Sequence, residues 1–138
     1  MKEMDRLLSS TLNSHPLTHA RLKFLSSIAQ STEDHISRVG LALSLNRGEV
    51  EPGWVPSEFQ EEGILVETFN QKHLKGRTLF KEELALWVAL ALRHQVPADY
   101  AEWRRVMIAH WERGVQELTA KAVSEGDWIR TLRACLPN

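Results

Sequence analysis

Hydrophobic residues recur at helical spacing in the second half of the chain, and the longest such stripe follows Pro97. Its members are separated by three or four residues: Tyr100, Trp103, Met107, Trp111, Val115, Leu118 and Ala122. This spacing places them all on one face of an α-helix of roughly six turns. Gly126 is predicted to end that helix, because glycine readily adopts the left-handed conformation that follows helices. Residues 127–136 are predicted to form a short terminal helix.

Two shorter helices are predicted near the N-terminus. The apolar stripe of the first consists of Leu17, Arg21, Phe24, Leu25 and Ile28. This helix should cover about residues 18–30, with Thr18 as its N-cap. The second should cover about residues 33–46, because Ser31 and Asp34 in "STED" form a capping-box pattern. The resulting hairpin is a shape that helix-turn-helix and ribbon-helix-helix DNA-binding domains share with many domains that bind nothing.

The middle of the chain is less regular. Residues 48–63 contain prolines and glycines and are predicted to form a loop, whereas the following "ILVETF" favours a short strand. A helix is expected from Thr78 to His94. Its run from Leu84 to Leu92 is apolar on nearly every face, which favours a central, buried helix. The pattern predicts one all-α domain over residues 1–138, with an N-terminal helical hairpin and at most one short β ribbon.

The order of charges along the chain is more informative than their total. The 17 Lys and Arg against 18 Asp and Glu give a net charge of −1, so the whole molecule has no electrostatic attraction to nucleic acid. An acidic stretch without a base contains Glu49, Glu51, Glu58, Glu61, Glu62 and Glu67. A basic stretch without an acid follows and contains Lys72, Lys75, Arg77 and Lys81. This segregation permits a local basic surface on a nearly neutral protein.

We expect a cytoplasmic protein without a membrane partner. The run from Leu84 to Leu92 is much shorter than the ~20 residues needed to cross a bilayer. "MKEMDRLLSS" carries acidic residues where a signal peptide has basic ones. The single cysteine, Cys135, has no partner for an internal disulfide, which fits a reducing compartment.

No sequence pattern is typical of an enzyme. His15 and His19 lie four residues apart, but no carboxylate or cysteine completes a metal-binding set, so we expect a solvated helix start and no metal. Cys135 is expected to be buried among apolar residues rather than reactive. Trp54, in a Pro-Gly loop, is a candidate for stacking on unpaired bases, although packing against the core is favoured. We therefore expect a non-catalytic protein with no cofactor.

The basic stretch provides the candidates for phosphate binding, which are Lys72, Lys75, Arg77 and Lys81. The partial positive charge at the N-terminus of the following helix would add to their attraction for phosphate. From spacing alone, the alternatives are an ordinary solvated loop or a loop that pairs with the neighbouring acidic stretch.

Several segments of the chain resemble the DndE family in the same order. "LTHARLKFLSSIAQSTEDHISRVGLALSLNRG" is similar to the N-terminal helical pair of that family. Its matching positions are Leu17, Thr18, Thr32, Ser37, Arg38, Ser44 and Leu45. Later matching positions are Phe69, Asn70, Leu74 and Gly76, the apolar helix "LALWVALALRH", then Ala109, His110, Gly114 and Leu118. The resemblance covers about residues 16–120 and leaves 121–138 as a helical tail.

This resemblance implies a small, helical, non-catalytic component of bacterial DNA phosphorothioation, in which sulfur replaces a non-bridging phosphate oxygen. Members of the family are homotetramers that bind double-stranded DNA, with a preference for nicked DNA, through a lysine-rich surface. Other proteins of the system perform the sulfur chemistry. The resemblance therefore implies a homo-oligomer, as a tetramer, whose partners are double-stranded DNA and the other proteins of the phosphorothioation complex.

The DNA-binding residues are chosen by their position in this chain and not by the resemblance. The set consists of Lys72, Lys75, Arg77 and Lys81, joined by Arg21, Lys23, Arg38 and Arg47 from the helical pair. Two other functions remain open at this point. One is a sequence-specific transcription regulator that uses the helical hairpin, and the other is a protein scaffold without DNA contact that uses Trp54 and the acidic stretch.

Overall fold

Helices dominate the computed structural model, which describes residues 2–58, 61 and 63–136. Within these residues the elements are α1 (Lys2–Ser9), β1 (Thr11–Asn13), α2 (Pro16–Ala29), α3 (Glu33–Arg47), β2 (His73–Lys75), α4 (Gly76–Phe80), α5 (Leu84–Leu92), α6 (Tyr100–Glu125) and α7 (Trp128–Cys135). The expected all-α fold with one short ribbon is confirmed. Glu62 of the acidic stretch and positions 1, 59, 60, 137 and 138 of the expected domain lie outside the described residues.

The long helix α6 is the centre of the fold, and the stripe that predicted it is confirmed. Its buried apolar residues include Met107, Trp111, Val115, Leu118 and Ala122. Helix α3 packs along α6 and crosses it at Gly40 and Gly114. A Cβ atom on Gly114 would lie 1.7 Å from the carbonyl oxygen of Gly40, so only glycine permits this approach of the two backbones.

The expectation of one central helix from Thr78 to His94 is wrong. The segment forms two helices, because Lys81 and Glu82 interrupt it with left-handed backbone conformations, at φ of 52° and 63°. Helix α5 is peripheral and buries one face, made of Leu84, Trp87, Val88 and Ala91. On its other side Leu86 and Leu92 are 54% and 45% exposed. In the described part of the chain, no helix has the length and hydropathy to span a membrane.

The ribbon joins two distant parts of the chain. β1 pairs with β2 in antiparallel register, with Leu12 opposite Leu74. Both leucines are buried, which anchors the ribbon on the core. The strand expected at "ILVETF" is not formed, since residues 64–69 are loop and turn, in which the N–H of Phe69 donates to the carbonyl of Val66.

The expected hairpin is formed by α2 and α3, but α2 begins earlier than predicted. His15 is its N-cap, and the His15 Nδ1 accepts a hydrogen bond from the N–H of Leu17 at 3.0 Å. Thr18, the expected cap, is instead buried inside the helix and donates its hydroxyl to the carboxylate of Glu112 in α6. The polar group that suggested a cap is therefore used for packing between helices.

The other caps follow the expected residue types. Thr32, one residue after the predicted Ser31, is the N-cap of α3, and its Oγ1 accepts from the N–H of His35 at 3.1 Å. Gly126 ends α6 in a left-handed conformation, as predicted, with φ of 74°. Asp127 then caps the short terminal helix α7, whose prediction is confirmed.

Candidate nucleic-acid interface

The candidate phosphate-binding residues lie on the ribbon and on α4, in what we call the basic segment (residues 72–81). Lys75 is the last residue of β2, and its side chain is exposed. Arg77 in α4 and Lys81, which directly follows this helix, are also exposed. The basic segment therefore presents several long cationic side chains to solvent.

These exposed cations have few competing partners. Arg77 Nη1 lies 3.4 Å from Glu82 Oε1, and the two side chains are 60% and 73% exposed. An ion pair in such a position contributes little stability and exchanges easily for another anion. The side chains of Lys75 and Lys81 form no ion pair with any described residue. Within the same residues, the ion pairs of the basic segment involve Glu33 and Glu82 and not the acidic stretch.

The first residue of the segment, Lys72, belongs to what we call the Glu33 cluster, formed by His19, Lys23, Glu33 and Lys72. Lys72 Nζ lies 3.2 Å from Glu33 Oε1, and Lys23 Nζ lies 3.5 Å from Glu33 Oε2. His19 Nε2 is 3.6 Å from Oε1. Three basic side chains from α2 and the basic segment thus converge on one carboxylate at the start of α3.

His19 is held in position by the loop before β2. Its Nδ1 lies 2.9 Å from the carbonyl oxygen of Asn70, and this nitrogen must carry a proton to donate to a carbonyl. Its ring also contacts Phe69 edge-on, with centroids 5.1 Å apart. The other ring nitrogen, Nε2, therefore faces the Glu33 carboxylate.

Arg21 has a structural role that makes it unsuitable for contact with DNA. Its side chain is 1% exposed and its Nε donates to both carboxylate oxygens of Glu61, at 3.2 and 3.1 Å. Nη1 donates to Gln116 Oε1 at 3.1 Å, and Nη2 to the carbonyl of Ser57 at 3.3 Å. Arg21 therefore connects α2 to the acidic stretch and to α6.

Arg38 and Arg47 also bind backbone carbonyls. Arg38 Nη1 donates to the carbonyl of Thr78 at 2.8 Å, which connects α3 to α4. Arg47 Nη2 donates to Glu117 Oε1 at 2.6 Å and to the carbonyl of Cys135 at 2.8 Å, which connects α3 to the end of α7. These two residues position the basic segment and the terminal helix. Of the helical-pair candidates, Lys23 presents the most open side chain, at 64% exposed.

A fully buried serine–histidine pair lies between α3 and α6. Ser44 Oγ is 2.9 Å from His110 Nδ1, and it accepts a hydrogen bond from Arg113 Nε at 2.8 Å. Burial, assisted by the nearby charges of Arg113 and His94, lowers the pKa of His110 to about 4. Both side chains are 1% exposed, so the pair bridges two helices and offers no surface for a substrate.

Glu112 and Cys135 are also buried. Glu112 is 7% exposed and accepts from Thr18 Oγ1 and the N–H of His15, while burial raises its pKa. Cys135 is 3% exposed, as expected for an apolar role, and burial raises the pKa of its thiol. Across the described residues, no three His, Cys, Asp or Glu side chains are arranged to hold a metal ion.

Two clefts accompany these groups. Trp54 packs against Val50, Val106 and Ala109, which confirms a core-packing role, and its half-buried ring also lines a cleft of about 380 Å³ with Arg104 and Arg105. A second cleft, of about 480 Å³, lies between α3 and α7. It is lined by Val39, Ala42, Leu43, Asn46, Leu118, Leu132, Cys135 and Leu136. The second cleft is the more apolar, which suits contact with another protein surface.

Sequence reasoning missed His19 and Glu33 as members of a site. They lie in different helices, and only the fold brings them to Lys72. It also counted Arg21 as a surface cation, although Arg21 belongs to the apolar stripe of α2, and that position was a signal of burial.

No family model, curated protein or solved structure matches this chain.

Proposed function

We propose that this protein is a non-catalytic, DNA-binding accessory subunit of bacterial DNA phosphorothioate modification that acts in the cytoplasm as a homo-oligomer. It binds the sugar-phosphate backbone of double-stranded DNA, both intact and nicked, without reading the bases. The observation that carries DNA binding is the basic segment, whose Lys75, Arg77 and Lys81 are exposed and weakly partnered. The link to phosphorothioation rests on the resemblance to the DndE family.

Backbone binding requires cations that approach phosphates without competition from the protein's own acceptors. Each lysine or arginine that neutralises a phosphate releases condensed counterions, which makes binding strongly dependent on salt. One protomer offers only a few such cations, so affinity for DNA would come from several copies of the basic segment in one oligomer. A neutral chain can then present a positive surface.

The proposed interface consists of Lys23, Lys72, Lys75, Arg77 and Lys81. It leaves out Arg21, Arg38 and Arg47, because their guanidinium groups already bind carboxylates and carbonyls of the fold. These three arginines support the surface that carries the lysines and do not themselves reach the ligand.

The decisive test is charge reversal at the exposed cations. We expect Lys75→Glu, Arg77→Glu and Lys81→Glu together to lower affinity for duplex DNA by more than about tenfold, and to reduce the slope of log K against log salt by about 2 to 3. The matched control combines Arg93→Glu, Arg130→Glu and Arg133→Glu, which changes the net charge equally at exposed sites in α5 and α7. Equal losses in the two variants would contradict a specific basic interface.

The same titration separates base reading from backbone binding. It should use intact and nicked duplexes of unrelated sequence, because a regulator that reads bases with the α2–α3 hairpin would bind one intact sequence tightly. Asp34 in the first turn of α3 disfavours insertion of that helix end into a DNA groove. We therefore expect similar affinities across unrelated sequences.

The apolar cleft between α3 and α7 favours a second function, contact with another protein. Leu136 at its edge is 65% exposed, and the cleft walls are mainly aliphatic. As a scaffold, the protein would join the modification complex through such a surface and contact no DNA. If charge reversal left DNA retention in the complex unchanged, the scaffold function would replace the one proposed above.

A further inference from the structure

The Glu33 cluster contains more positive charge than its one carboxylate satisfies. The three ion-pair distances, 3.2, 3.5 and 3.6 Å, exceed the ~2.8 Å typical of charge-assisted hydrogen bonds. Glu33 Oε1 is buried and accepts no hydrogen bond from the described residues. The three basic side chains therefore contact the carboxylate at distances longer than those of charge-assisted hydrogen bonds.

A phosphate group suits the Glu33 cluster better than a carboxylate does. It is tetrahedral, so its oxygens can point at once toward Lys23, Lys72 and His19, whereas the planar carboxylate offers two. The basic side chains come from two elements, α2 and the basic segment, and the His19 ring is held from behind by the carbonyl of Asn70. Lys23 is 64% exposed, so the cluster opens to solvent on its side.

We propose that Glu33 occupies a phosphate-binding site in the free protein, and that a backbone phosphate of DNA displaces it. This inference deepens the proposed function and rests on it for DNA as the source of the phosphate. On binding, the Glu33 side chain rotates outward, and Lys23, Lys72 and His19 turn from one carboxylate to the phosphate. Glu33 thereby weakens attraction to small anions, which must compete with it, while DNA engages the rest of the basic segment at the same time.

The test compares Glu33→Gln with the wild type and with Glu125→Gln, an exposed control at the end of α6 that raises the net charge by the same amount. We expect Glu33→Gln to bind duplex DNA about fivefold more tightly and to steepen the salt slope by about 1, because cations freed from Glu33 gain a phosphate contact. We also expect inorganic phosphate to raise the melting temperature of Glu33→Gln by a few degrees more than that of the control.

A second variant, Glu33→Asp, keeps the negative charge in the first turn of α3 but withdraws it by one methylene. It protects the test against a loss of folding caused by the helix terminus, and its DNA affinity should lie between those of the wild type and Glu33→Gln. Adding Lys23→Gln to Glu33→Gln should reduce the phosphate effect, since Lys23 is a member of the site. A purely structural ion pair would instead lower the melting temperature without changing DNA affinity or phosphate stabilisation.

The outcomes separate this inference from the proposed function. If the wild type binds DNA but Glu33→Gln and Glu125→Gln match it in affinity and salt slope, the phosphate site is refuted and DNA binding stands. If no variant binds DNA but phosphate selectively stabilises Glu33→Gln, the site stands and the DNA function is refuted. Absence of both effects in a folded Glu33→Gln variant would overturn both.

Discussion

Two groups of cationic side chains in this protein carry the same charge per residue but have different roles. We call Arg21, Arg38, Arg47 and Arg113 the inner arginines. Each of the four donates a hydrogen bond to a backbone carbonyl in a distant part of the chain. The basic segment is richer in lysine, and the side chains of its Lys75, Arg77 and Lys81 are exposed to solvent. The difference follows the chemistry of the two residues.

A guanidinium is planar, with five donors in a fixed fork, so one arginine can join several carbonyls and carboxylates. Arg113 shows this directly, since it donates to the carbonyl of Ser44 near the end of α3 and to the carbonyls of Gly48 and Glu49 beyond that end. A lysine ammonium is a compact, hydrated charge on a flexible stem, which suits contact with phosphates at no fixed angle. Counting charges along the sequence cannot separate these roles, because the acceptors lie tens of residues away.

The largest expected effect lies at the crossing of α3 and α6, two helices that Arg113 also joins through its hydrogen bond to the carbonyl of Ser44. Gly114→Ala should destabilise the protein by about 4 kcal/mol, because its Cβ would overlap the backbone of Gly40 and force α3 from α6. Gly40→Ala is the matched control and should cost less, since its Cβ would approach Val115 N only to 3.0 Å. Urea unfolding measures both, and similar losses would argue against a backbone clash at the crossing.

Replacing one cation from each group tests directly whether the two groups differ in their roles. Arg21→Met should cost about 3 kcal/mol, because it leaves the largely buried Glu61 carboxylate without its partner. Lys75→Met should change the unfolding free energy by less than about 0.5 kcal/mol, because its side chain is exposed. DNA titration should reverse the order, with the salt slope lowered by about 1 in Lys75→Met and unchanged in folded Arg21→Met. A lower slope for Arg21→Met would restore Arg21 to the interface.

An effect smaller than that of Arg21→Met concerns the stability of the protein in acid. His110 has a folded pKa of about 4, below the 6.5 of an unfolded histidine, so between these values the unfolded chain binds more protons. Stability should therefore fall by about 2 kcal/mol from pH 6.5 to 4.5 through this residue. His110→Asn should flatten that part of the stability profile. A His110 imidazole chemical shift that titrates near pH 6.5 in the folded protein would refute the buried, neutral state of this residue.

The parts of the fold that were predictable depend on local signals. The stripe of α6, the left-handed Gly126 and the cap Asp127 act within a few residues, so the sequence displays them. The break at Lys81 and Glu82 was not visible, because nothing in these residue types demands a positive φ. Helix α5 was assigned to the centre by its apolar content, but burial depends on what packs against each face, and Leu86 on its outer face is 54% exposed.

The candidate site was predictable only in its contiguous part. Lys75, Arg77 and Lys81 lie close together in the chain, so their clustering could be predicted from the sequence. The Glu33 cluster combines α2, α3 and the basic segment, and no local spacing connects these residues. The ribbon was missed as well, since β1 has three residues and pairs with a strand far along the chain.

That long-range ribbon has a consequence for the order in which the protein folds. Asn13 and His73 meet across 60 residues of chain, so the entropy of closing a large loop must be overcome before β1 and β2 pair. The α2–α3 hairpin needs only neighbouring residues and can form quickly. The basic segment should therefore become ordered late, and a chain emerging from the ribosome would have no ordered basic segment until β1 and β2 have paired.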